Sequence, residues 1–185
     1  MKHSVLFLAN GFEEIEALAT VDILRRAGMV VNIVTINADG FATGANGITV
    51  KADAVIDNVS LAPDTEWLIC PGGMPGAANL AANEKVCEML SAQFARGGRI
   101  AAICAAPAVV LAPLGILEGR KATCYPGFES EVDNADMTGA PVEVQDTLVT
   151  ANGPGSAIPF ALSIVAVSKG NGAASDLAAA LQYRK

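Results

Sequence analysis

The sequence predicts an α/β fold: a doubly wound three-layer sandwich with a mainly parallel central sheet, built as one domain over residues 1–185. Two observations carry this. Short, continuous apolar runs such as Ser4–Leu8 and Trp67–Cys70 alternate with longer stretches of helical spacing, and that alternation gives β-α-β units with parallel strands. The chain is also 52% hydrophobic and only 17% charged over 185 residues. That is enough apolar surface for one sizeable core and too little charge for a disordered chain.

The elements follow in order. Ser4–Leu8 is an apolar run of the kind buried on both sheet faces. Asn10-Gly11 turns the chain into a helix over Glu14–Ala27, which Gly28 stops and whose last turn carries Arg25 and Arg26. Val30–Ile36 is the second strand and completes a right-handed β-α-β unit. Residues 39–50 read as a small hairpin, because Asp39-Gly40 and Asn46-Gly47 are strong turn pairs. A short strand over Ala54–Ile56 precedes the Trp67–Cys70 strand, which runs into Pro71-Gly72-Gly73. Helical stretches Ala77–Leu80 and Glu84–Arg96 follow, closed by Gly97-Gly98. Ile100–Ile103 is the next strand, and a helix over Ala105–Leu114 is expected to start directly after Cys104. Ala122–Tyr125, Val142–Gln145 and Leu148–Ala151 are short later segments. The loop Asn152-Gly153-Pro154-Gly155 leads into a helix over Ala157–Val167, and a last helix covers Ala173–Leu181.

Composition excludes several function classes. A net charge of −7 argues against nucleic acid as the main partner, since phosphate binding needs a basic surface. The run Val5–Ala9 is too short for a signal peptide or a membrane span, so no membrane association is expected and a cytoplasmic location is the default. Cys70, Cys87, Cys104 and Cys124 show no CxxC pair and no nearby histidine, so neither a zinc site nor another metal centre is expected. Cys70 and Cys87 read as small buried hydrophobes.

Ligands of such folds bind beyond the carboxyl ends of the strands. Asn10–Glu16, Pro71–Gly76 and Cys104 all fall there. A cysteine between a strand and a helix meets the first helical N–H groups, which favours thiolate, and so sharp a turn is often strained. The backbone at Gly72 and Gly73 can approach a ligand, and its N–H groups suit an oxyanion hole beside Cys104. Glu13, Glu14 and Glu16 all suit the helix dipole. One of them, pointing into the rim, would have to hold a proton if it faced a thiolate, and would then serve as general acid or base. The single histidine, His3, precedes the first strand and belongs at the opposite end of the sheet. A cysteine-histidine dyad of the protease kind is therefore not expected.

Taken together, the segments ANGFEEIEA, VDILRRAG, CPGGMPGAANL, AAICAAPAVVLAPLGIL and ANGPGSAIPFAL resemble, in order and spacing, the ThiJ/PfpI superfamily, in particular its Parkinsonism-associated deglycase branch. The resemblance covers nearly the whole chain. It implies a flavodoxin-like sandwich, a homodimer, no cofactor and an oxidation-sensitive nucleophile at Cys104. It implies Glu16 as the partner that holds a protonated carboxyl against the sulfur. Gly73, next to Gly72, and Ala105 become the oxyanion donors, and Gly153, Pro154 and Gly155 match a family loop. Arg25 and Arg26 match positions near the dimer contact. Two departures stand out. Tyr125-Pro126 replaces a His-Pro pair, which leaves a hydrogen-bond donor where relatives have a better base, and Asn46 stands where many close relatives place an arginine. The activity implied is glyoxalase or deglycase action on a small reactive aldehyde such as methylglyoxal or glyoxal. The alternative is a non-enzymatic redox sensor or chaperone acting through oxidation of Cys104.

Overall fold

The computed structural model describes residues 2–183. Strand β1 (His3–Leu8) is buried from Ser4 onward, as its unbroken apolar run requires. Helix α1 (Glu14–Arg26) starts at Glu13, whose carboxylate caps the Glu16 N–H at 2.8 Å, and ends at Gly28 with φ +71°. Strand β2 (Val30–Thr35) pairs in parallel with β1. The hairpin of β3 (Phe41–Thr43) and β4 (Thr49–Lys51) starts at the first predicted turn and is joined by the second, with Gly40 and Gly47 both at positive φ. Next come β5 (Ala54–Val55) and β6 (Thr65–Cys70), then α2 (Gly76–Ala81), α3 (Glu84–Ala95) and β7 (Arg99–Ile103). After the short pair β8 (Lys121–Ala122) and β9 (Asp136–Met137) come β10 (Val142–Gln145) and β11 (Leu148–Ala151). Helices α4 (Ala157–Lys169) and α5 (Asn171–Ala180) complete the chain.

The central sheet has seven strands in the order β10-β11-β7-β6-β1-β2-β5. All pairings in it are parallel except β10 with β11. From β1 the chain crosses to β2 in one direction; from β6 it crosses to β7 in the other. Right-handed crossovers then put α1 on one face and α2 and α3 on the opposite face. Helix α4 packs against α1 and α5, while α2 packs against α3 and residues 107–111. This is the doubly wound, flavodoxin-like sandwich. The direction reverses between β1 and β6, and the crevice beyond their carboxyl ends is where such folds bind ligands. Among the described residues no helix is long and apolar enough to cross a membrane.

Two expectations are corrected. Residues 105–114 do not form an α-helix starting at Cys104. Cys104 and Ala105 lie in a turn, Pro107–Leu111 winds as a π-helix and Ala112–Leu114 as a 3-10 turn. Pro113 has no N–H to give the Val109 carbonyl, so the chain closes a wider turn, with the Ala112 N–H on the Pro107 carbonyl. Ala122–Tyr125 is a strand only as far as Ala122. The Thr123 N–H turns to Thr150 Oγ1 and the Tyr125 N–H to the Cys104 carbonyl, at 3.0 and 2.8 Å, so neither continues the pairing.

Candidate active site

The rim is assembled from four loops, each following a parallel strand. Cys104 stands directly after β7 with φ 65°, in the left-handed region that non-glycine residues seldom occupy. Two backbone hydrogen bonds of 2.8 Å hold it there: its N–H donates to the Ala151 carbonyl, and its carbonyl accepts from the Tyr125 N–H. Strain of this kind persists only where the surroundings over-determine it. The side chain is 8% exposed.

Glu16, on the first turns of α1, is fully buried. Its Oε2 accepts the Gly72 N–H at 2.8 Å, its Oε1 is buried without a hydrogen-bond partner, and the carboxyl lies beside the Cys104 side chain across Gly72. Gly72 is obligatory at this junction: a Cβ there would lie 2.5 Å from the Cys104 Cβ and 2.8 Å from Glu16 Oε2. Gly73 has φ +87°, and the space for its side chain is filled by the Glu13 nitrogen and the Gly11 carbonyl. The Gly73 and Ala105 N–H groups lie close enough to the sulfur to favour its charged form.

Burial pushes the Glu16 carboxyl up to about 7, against the lowering effect of the adjacent Cys104 thiol and of its bond to Gly72. The Cys104 thiol is pushed up to about 12, by burial first and then by the neighbouring charge of Glu16. The Gly73 and Ala105 amides oppose this and lose. Burial and the nearby carboxylate thus oppose the thiolate that the N–H groups of the turn favour. Beside an ionised Glu16 the proton stays on sulfur, because the pair shares a poorly solvated space and one negative charge is all it holds cheaply.

The three acids at the start of α1 separate into three tasks. Glu13 caps the helix, Glu16 reaches the sulfur, and Glu14, also buried, holds the β3–β4 hairpin. Glu14 accepts from the Asn46 N–H at 2.7 Å, Asn46 Nδ2 at 2.9 Å and the Ile48 N–H at 3.4 Å. Its burial would raise its pKa, but these bonds outweigh it and keep the carboxyl below its ordinary value. Sequence reasoning missed this anchor. Two further bonds tie the hairpin to the loop after β1: Gly11 N–H to Thr43 and Ala45 N–H to Phe12, both 2.8 Å. That loop in turn donates the Glu13 N–H to the Gly72 carbonyl at 3.0 Å.

The other candidates are less close to the chemistry. Tyr125 is brought to the rim by its backbone bond to Cys104, and its ring lies against Gly153, at the start of the Gly153-Pro154-Gly155 loop. Its hydroxyl makes no hydrogen bond to another described residue, and the residue is 45% exposed. Arg25 is tied to Asp53 at 2.7 Å and to the Val31 carbonyl; Arg26 pairs with Asp22 at 2.6 Å. His3 sits at the amino end of β1 near Thr65 and Asp64, as expected. All four cysteines are free thiols.

A family model described as the DJ-1/PfpI family matches residues 2–167. The Parkinson disease protein 7 homolog of Danio rerio is 32% identical over 97% of this chain and 96% of its own length. A Pyrococcus horikoshii protein named Deglycase PH1704 is 34% identical over 84% of this chain and 90% of its own length. Two Arabidopsis thaliana relatives, DJ-1 homologs B and A, are longer: the chain spans 36% and 45% of them. Among solved structures, oxidised Toxoplasma gondii DJ-1 superposes with a TM-score of 0.95 at 37% identity, covering all of both chains.

Proposed function

The chain belongs to the DJ-1/PfpI family, and from that premise we propose that it is a cysteine-dependent, cofactor-independent stress-response enzyme acting on small reactive carbonyls, of the glyoxalase or deglycase kind. The observation that supports this most is the meeting of a strained Cys104, a buried Glu16 and two amides aimed at the sulfur. With methylglyoxal, the Cys104 sulfur bonds to the aldehyde carbon while the thiol proton passes to Glu16. The Gly73 and Ala105 N–H groups take the developing oxyanion, which then gains a proton to give the hemithioacetal. Glu16 next removes the hydrogen from that carbon, and a proton is returned to the neighbouring one. The product is a thioester of lactate on Cys104, and water cleaves it to lactate and the free thiol. The net change is addition of one water, so neither oxidant nor cofactor is consumed. The substrate is therefore a small aldehyde. A cytoplasmic location and a homodimer belong to the same proposal.

The direct test is lactate formation from methylglyoxal. Cys104→Ser is expected to reduce turnover to background, and Glu16→Gln to lower kcat by about 10²–10⁴-fold, the usual worth of a positioned acid-base group. Parental turnover by either variant contradicts the proposal.

A second reading has its own support. The same two amides are placed to bind oxygens added to sulfur, and the similar Toxoplasma gondii protein is described as oxidised. In that reading Cys104 is a redox sensor, or the switch of a chaperone, through its sulfenic or sulfinic form. Mild peroxide followed by intact mass distinguishes the two: selective oxygen addition at Cys104 without carbonyl turnover selects sensing.

A further inference from the structure

We propose that Tyr125 and Met74 form an apolar rim beside Cys104 that selects α-oxoaldehydes bearing an aromatic or bulky apolar substituent over glyoxal itself; this rests on the reading of Cys104 as a nucleophile toward carbonyls.

The placement comes from three contacts. The Cys104 N–H is bonded to Ala151 and the Cys104 carbonyl to the Tyr125 N–H, each at 2.8 Å. The Tyr125 ring lies against Gly153, two residues beyond Ala151: a Cβ on Gly153 would stand 3.2 Å from the ring. The Tyr125 backbone is therefore fixed to Cys104 and its ring to the loop that follows Ala151. Phe128 braces it edge-on, with centroids 6.5 Å apart and planes at 76°. Met74 directly follows Gly73, whose N–H faces the sulfur. Both side chains are open to solvent, Tyr125 at 45% and Met74 at 49%. Tyr125 is thus an exposed ring tied through its backbone to a buried reactive residue, and Met74 an exposed apolar side chain on the turn that carries Gly73; ligand sites are mostly apolar with a few convergent polar groups.

Charge points the same way. The acids around the rim are Glu13, Glu16 and, beyond Tyr125, Glu129 and Glu131, the last two acting on Cys124. The nearest arginines on α1 are committed to Asp53 and Asp22. A carboxylate or phosphate on the substrate would meet repulsion here, whereas a phenyl or branched alkyl group would meet the Tyr125 ring and the polarizable Met74 sulfur. The substituent takes no part in the chemistry; only the aldehyde carbon bonds to sulfur.

The test compares kcat/KM for phenylglyoxal and glyoxal. The parent is expected to prefer phenylglyoxal. Tyr125→Ala should lower the phenylglyoxal-to-glyoxal ratio about fivefold, the worth of one aromatic pair. Met74→Ala should lower it in the same direction, and Tyr125→Phe should preserve it, because the ring and not the hydroxyl makes the contact. A ratio unchanged in Tyr125→Ala, or lost in Tyr125→Phe, overturns the inference. A second measurement needs no turnover: the rates of Cys104 alkylation by iodoacetanilide and by iodoacetamide, read by intact mass. If the parent converts neither aldehyde, the carbonyl reading fails by itself. The alkylation ratio then judges the rim, which stands if Tyr125→Ala lowers the ratio and falls if it does not.

Discussion

Glu16 is the residue whose environment makes the sharpest demand. A carboxyl held up to about 7 in the folded chain, but ordinary when unfolded, binds more protons folded than unfolded between those two values. Stability therefore falls as pH rises from about 4.5 through about 7 and levels off above, a loss on the order of 3 kcal/mol. Glu16→Gln has no such titration, so its stability relative to the parent should climb by that amount between pH 4.5 and pH 8, measured by urea unfolding. A difference independent of pH would show that Glu16 ionises freely. Gly72 makes a steric demand: with a Cβ only 2.5 Å from that of Cys104, Gly72→Ala should destabilise by about 1–3 kcal/mol, as overpacking does, and displace the nucleophile. Its urea midpoint and its methylglyoxal turnover should fall together.

The β3–β4 hairpin depends on Glu14, which is buried under it and supplies three hydrogen bonds. Because Glu14 is held below its ordinary value, the stability it contributes is present above that value and is lost as pH falls through the lowered one. Protection factors over residues 41–51, the exchange rates divided into their intrinsic values at each pH, should accordingly fall at low pH, and at neutral pH in Glu14→Ala, while β1 and β6 stay protected. Unchanged exchange in Glu14→Ala would remove Glu14 as the anchor. Much at this level was legible beforehand. The strands announce themselves as unbroken apolar runs, and Asp39-Gly40 and Asn46-Gly47 announce the hairpin. The helix after Cys104 was misread because apolar spacing tolerates a π-turn, while the lost Pro113 N–H decides the winding. Cys104 was legible from topology, its position at the end of β7 being fixed by strand order. The choice of Glu16 from three adjacent acids was not, since the helix dipole favours all of them equally; only the family resemblance singled it out. Glu14's partner lies 32 residues away, a contact no local pattern encodes.

Across the whole molecule the net charge is −7, and exposed large apolar side chains occur at Val30, Val144 and Ile158 as well as near the site. Ile15 and Ile48, 58% and 53% exposed, flank the Glu14 anchor on α1 and the hairpin. If this face carries the proposed homodimer, Ile15→Glu should shift the mass in light scattering from dimer to monomer. A monomeric parent, or a dimeric variant, removes that face as the interface. The central claim remains that Cys104 and Glu16 act as one unit sharing a single proton and a single charge. The measurement that tests this most directly is the rate of Cys104 alkylation by iodoacetamide against pH, in the parent and in Glu16→Gln. The parent should show a rise centred near pH 7, as Glu16 ionises and becomes able to take the thiol proton, and Glu16→Gln should show no step there. Identical profiles, or a parent already at full reactivity by pH 5, would contradict the account.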